Sequence, residues 1–203
     1  MSTSKAPTTR GRTPKEVRAP FRAYTTVIGE LVWASNYSLG AFEILFSHAA
    51  TPTEFQTGRA IWHTATSDSG QLQMLKAAIE TSTRLSERMR ANILWAIERA
   101  RKLGESRNDA VHSSTIVLAK TKPATIVLSE LGTKPKRFGK FDRTVDLKKH
   151  FRSVKGDLWK LGQYVHALWP QVAGFDLLPP LPRRPQLASI HKAVAKKPRT
   201  KKA

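Results

Sequence analysis

Apolar residues recur at helical spacing along most of the chain, and the places where that spacing breaks divide it into elements. Tyr24, Ile28, Leu31, Phe42 and Leu45 share one stripe with the small Ser35 and Ser38, which predicts one long helix ending near His48 and a neighbour packed close against it. Thr51-Pro52-Thr53-Glu54 breaks that helix and starts a shorter one carrying Phe55, Ile61 and Trp62, with Thr51 as candidate cap. Thr66-Ser67-Asp68 can cap a third, which carries Leu72, Leu75 and Ile79. Thr83 is expected to open the most regular helix of all. Its stripe is Met89, Ile93, Ala96, Ile97, Ala100 and Leu103, continued by Arg107 and Val111.

After His112 the period changes. Thr115-Ile116-Val117-Leu118 and Thr125-Ile126-Val127-Leu128 are short β-rich runs around a Lys- and Pro-containing turn, as in a hairpin. A last helix follows with a clear heptad, Leu147, Phe151, Val154, Leu158, Leu161, Val165 and Leu168, which must lie along another helix. Pro170 and Gly174 are expected to end it, and Pro179-Pro180-Leu181-Pro182 reads as an extended linker. The pattern predicts a mainly α protein: an antiparallel bundle of four to five helices with a short β-hairpin insertion and disordered basic termini. Its expected divisions are a disordered segment over 1–20, a helical domain over 21–172, and a Pro-rich linker and disordered tail over 173–203.

Composition adds a partner class. The formal net charge is +20, and most of it sits at the ends, since residues 1–22 hold six Lys/Arg against one Glu and residues 183–203 hold eight with no acid. Such an excess points to RNA or another polyanion, although basic tails also serve simply as solubilising extensions. Between Leu131 and Phe141, Lys134, Lys136, Arg137 and Lys140 alternate with Phe138 and two glycines. That loop suits single-stranded RNA; a solvated loop whose phenylalanines tuck into the core is the other reading. No run approaches the length of a membrane span, and the absence of cysteine suits a reducing cytoplasm.

The residues with most chemical promise close the fourth helix. Arg107 falls on its inward stripe, where a guanidinium is costly unless paired or facing an anion. His112 lies five residues on, about 140° further round, so the two do not readily converge within one straight helix. Arg107-Asn108-Asp109-Ala110-Val111-His112 resembles the signature of the HEPN superfamily, in which an Arg, usually followed directly by Asn, Asp or His, is separated from a His by four to six intervening residues. Arg143 with His150 and Arg184 with His191 satisfy the same spacing, but only Arg107 combines a following Asn with the end of a long amphipathic helix.

The resemblance implies a small helical bundle and, as in many HEPN domains of toxin and defence systems, a metal-independent endoribonuclease working as a homodimer, with an antitoxin-type protein as a partner of such systems. Arg107, Asn108 and His112 are then the expected catalytic residues. Cleavage by RNA's own 2′-hydroxyl needs a base, an acid and positive charge on the phosphorane, and imidazole and guanidinium fill those roles. One motif supplies one His, so the second must come from a second protomer. Two other readings stand beside this one. Arg107 could pair with an acid such as Glu43 or Glu105 while His112 caps the helix end, and the chain would then be a non-catalytic module binding nucleic acid or a protein. Trp95, among Arg84, Arg88, Arg99 and Lys102, marks either a second packing face or an anion-binding face. The remaining histidines, His48, His63, His150, His166 and His191, show no metal-ligand spacing, so neither a metal nor another cofactor is expected.

Overall fold

A computed structural model describes residues 14–51, 54–112, 115–118, 125–128, 147–174 and 180–192, and over them the chain is mainly helical. Helix α1 (Pro14–Ala50) is followed by α2 (Phe55–Trp62), α3 (Asp68–Thr81) and α4 (Glu87–His112), and then by strands β1 (Thr115–Leu118) and β2 (Thr125–Leu128). Helix α5 (Leu147–Ala173) and the single turn α6 (Ala188–Lys192) complete it.

Helices α1 and α5 form the spine because both carry a long apolar face. Tyr24, Val27, Leu31, Phe42 and Leu45 are buried on one, and every heptad residue from Leu147 to Leu168 is buried on the other. Ring contacts set them side by side in the same direction: Tyr24 meets Phe151, Trp33 meets Trp159, and His48 meets Trp169. Buried Ser35 and Ser38 let the two helices come close. Gly162 answers them, for a Cβ there would lie 2.8 Å from the Tyr37 ring and 3.1 Å from the Ser38 Cα.

Helix α4 runs against this spine. Arg84, just ahead of it, donates to the His48 carbonyl near the end of α1 at 3.1 Å, and Trp95 in its first half meets Tyr164 in the second half of α5. Helix α3 runs with the spine, since Asp68 at its start reaches Arg107 and Thr81 at its end borders a cleft shared with Ala49 and Ala50. The return from the end of α1 to the start of α3 is made by short α2, whose Trp62 is buried against Phe46. Gly58 permits it: a Cβ there would fall 2.7 Å from the Ser47 Cα.

Several boundaries differ from the sequence reading. Helix α1 already begins at Pro14, inside the stretch expected to be disordered; proline suits a first helical position, where no backbone donor is needed. Helix α4 begins at Glu87 rather than Thr83, because the Ser86 hydroxyl accepts from the Met89 amide at 3.3 Å while Arg84 is drawn to the last carbonyls of α1. Helix α5 continues through Pro170 and stops at Ala173, with Gly174 at φ 75°. Proline this near the terminus removes one bond from the final turns, and the left-handed glycine is what ends the helix. Ser67 caps α3 as its sequence suggests, accepting from the Gly70 amide at 3.1 Å.

The two strands pair antiparallel with Thr115 opposite Leu128 and Leu118 opposite Thr125. Beyond α5, residues 180–192 are not the free linker and tail that their composition suggests. Leu187 is buried, Arg184 donates to the Asn92 side chain at 2.9 Å, and the buried Asp157 carboxylate accepts from both the amide and the hydroxyl of Ser189. An extended segment with three anchors thus closes over α4 and α5.

Candidate functional site

The last turns of α4 hold the three residues singled out from the sequence. Arg107 lies near the inward line of the helix, with its side chain 20% exposed. Its Nη1 donates to the Asn108 Oδ1 at 2.8 Å, its Nη2 lies 3.5 Å from the Asp68 Oδ2 at the start of α3, and its buried Nε has no hydrogen-bond partner. The acid that Arg107 meets is therefore Asp68, not Glu43. Asn108 holds the guanidinium from the side, which fixes its plane.

The inward face does not continue to Val111, which is 42% exposed; Ala110, seven residues beyond Leu103, is buried instead. The buried line steps by fours and threes, as along a heptad seam, where α4 packs against α5, α3 and α1. His112 is exposed and ends the helix. On a straight helix it stands about 140° round from Arg107 and about 7.5 Å further along, so a single protomer offers the cation and the imidazole on different sides of one helix end.

Sequence reasoning missed a second polar group. Glu43 on α1, half-buried, is shared by Arg59 of α2 and His63 just after it, through the Arg59 Nε and the His63 Nε2 at 3.5 Å. The i, i+4 spacing of Arg59 and His63 was the available signal; which acid they would meet was not. Both side chains are well exposed, and the group ties α2 onto α1.

Of the two roles expected for Trp95, the described contacts are those of a packing face. Its ring meets Tyr164 edge-on at 5.5 Å and is flanked by the Arg99 and Arg184 guanidinia at 5.7 and 5.3 Å. Arg184 comes from the docked C-terminal segment, so this aromatic anchors that segment. A cleft of about 470 Å³ lined by Ala49, Ala78, Thr81, Ser82 and Arg84 lies where α1 and α3 end and α4 begins, at the opposite end of α4 from Arg107.

Lys134, Lys136, Arg137 and Lys140, expected to contact RNA, lie outside the described residues. Among the described residues no group of three or more His, Asp or Glu could hold a metal ion, and no helix is long and apolar enough to cross a membrane. Comparison with known protein families, with curated proteins and with solved structures finds no match to this chain.

Proposed function

We propose that this chain is a HEPN-like, metal-independent endoribonuclease that acts as a homodimer, with Arg107, Asn108 and His112 as its catalytic residues. The observation that carries this reading is the state of Arg107: a guanidinium near the packed face of α4, steered by Asn108 and still one-fifth exposed. Arginine so placed is pre-oriented toward an anion, and the exposed imidazole of His112 ends the same helix. Because the two diverge around α4, the reaction needs a partner's motif. One His112 takes the proton of the 2′-hydroxyl as O2′ attacks phosphorus, Arg107 stabilises the phosphorane, and the partner subunit's His112 protonates the departing 5′-oxygen. The products are a 2′,3′-cyclic phosphate and a free 5′-hydroxyl. RNA is the substrate and an antitoxin-type protein would be a natural partner.

One observation favours a second reading, a non-catalytic module for nucleic acid or a protein. The Asp68 carboxylate 3.5 Å from Arg107 gives that arginine a structural partner. A cleavage assay on total RNA, with and without EDTA, separates the two. Wild type should cleave in chelator, and His112→Ala and Arg107→Ala should each lose 10²- to 10⁴-fold, on the order of a lost proton-transfer group. Full activity in both variants, or cleavage abolished by chelator, leaves the binding module as the account.

A further inference from the structure

Three aromatic rings stack on the outer face shared by α1 and α5. Trp33 lies over Trp159 with centroids 5.0 Å apart and planes 20° from parallel, and Tyr37 lies against Trp159 at 4.2 Å and 25°. The inner two are held, since both are half-buried and Tyr37 is wedged against Gly162. Trp33 is not: it is 62% exposed, the most exposed of the large apolar side chains among the described residues. Around it the surface is bare, for a Cβ built on Gly29, one turn before Trp33, or on Gly156, three residues before Trp159, would meet nothing within 4 Å. An aromatic face resting on two held rings is thus presented to solvent with room beside it, although burying it would be favourable.

The charge around the rings says what fits there. On an ideal helix Lys148, Arg152 and Lys155 fall within about 40° of Trp159, in one row that covers about 16 Å. Glu30, across on α1, is already engaged by the Lys155 Nζ at 2.9 Å. A second copy docked on this same face would set its own Lys148, Arg152 and Lys155 against these three cations, so self-docking there is opposed. A polyanion with flat bases matches both the ring and the row. The row also leads toward the N-terminus of α5, the end of the bundle at which antiparallel α4 presents His112.

We propose that Trp33, backed by Trp159 and Tyr37, is a base-stacking platform for single-stranded nucleic acid, whose backbone tracks Lys155, Arg152 and Lys148 toward the end of α4. That the natural ligand is RNA on its way to cleavage rests on the preceding functional reading; the stacking itself does not, because DNA bases present the same faces.

The test uses the full chain and a fluorescein-labelled oligo-dT of about ten nucleotides, which has no 2′-hydroxyl and cannot be cleaved by the route above. Wild type should bind it with quenching of tryptophan fluorescence. Trp33→Ala should bind roughly 5- to 150-fold more weakly, the range for loss of one base stack, while Trp33→Phe keeps most of the affinity. Arg152→Glu should flatten the salt dependence. Circular dichroism of Trp33→Ala should match wild type; if it does not, quenching of wild type by oligo-dT but not by inorganic polyphosphate carries the same proof. Unchanged affinity in Trp33→Ala, equal competition by duplex DNA, absence of quenching, or a wild-type dimer that Trp33→Ala converts to monomer each overturns the platform. Trp33-dependent binding without any RNA cleavage would sink the nuclease reading alone. Cleavage dependent on His112 with Trp33-independent binding would sink the platform alone.

Discussion

Arg107 and Asp68 meet at 3.5 Å across the contact between α4 and α3, but unequally: the arginine side chain is 20% exposed and the aspartate 44%. That asymmetry decides how much the pair contributes. A solvated carboxylate loses little when its partner goes, so a double-mutant cycle on Asp68→Ala and Arg107→Ala should give a coupling of ~0.2 to 1 kcal/mol, not the ~3 to 5 expected when a buried pair is broken. Thermal or urea unfolding of the four proteins measures it. A coupling above about 2 kcal/mol would mark Arg107 as a structural residue and count against its catalytic role.

The close passage of α1 and α5 gives a paired prediction on two glycines of one helix. Gly162→Ala puts a methyl 2.8 Å from the Tyr37 ring and 3.1 Å from backbone, so it should destabilise by ~1 to 3 kcal/mol, as overpacking does. Gly156→Ala meets nothing within 4 Å and should stabilise by about 0.5 to 1 kcal/mol through helix propensity alone. Opposite signs in denaturant midpoints check the helix register directly; the same sign in both would contradict it.

These contrasts also show where the sequence is legible. All seven heptad residues of α5 are buried because periodicity is itself a record of burial, and Ser67 caps α3 because capping is local. Arg107's inward placement could be read off the stripe of α4. Its partner could not, since Asp68 lies 39 positions earlier and only tertiary packing brings it near. Nothing in the sequence marks Trp33, because a stack across two helices leaves no pattern in either. The segment over 180–192 was missed for a related reason: Arg184, Leu187 and Ser189 act as separate anchors with no repeating face, within a composition that otherwise reads as linker.

That segment supplies the next prediction. Truncation after residue 182 removes buried Leu187 and takes both donors from the Asp157 carboxylate, which is itself buried. Leu187→Ala alone should cost ~2 to 5 kcal/mol as a core truncation. Asp157→Ala, which strands the Ser189 amide, should cost ~1 to 3. For a domain of this size each kcal/mol lowers Tm by about 2 to 4 °C. Deleting only residues 193–203 should leave the melting temperature where it is while weakening polyanion binding and its salt dependence. A truncation after 182 that melts like wild type would show that the segment adds nothing to stability.

Two histidines make stability depend on pH near neutrality. His48 stacks on Trp169 with centroids 5.5 Å apart and meets the tilted Phe55 ring at 5.0 Å, and His150 is half-buried against Phe151. Burial pushes both imidazoles below the ordinary value of 6.5. For His48 it does so at a helix C-terminus, where the dipole alone would favour the cation. The sign follows from proton counts: between the lowered native value and 6.5 the unfolded chain binds more protons than the folded one, so stability rises with pH across that window. The contribution is therefore present above about 6.5 and is lost as pH falls through the native values. Urea midpoints measured from pH 7.5 down to pH 5, above the range where most carboxylates titrate, should fall for wild type. They should fall less for His48→Gln with His150→Gln, in which neither side chain can take up a proton. An equally steep decline in the double variant would assign the acid sensitivity to other groups and leave the burial of these two imidazoles without thermodynamic consequence.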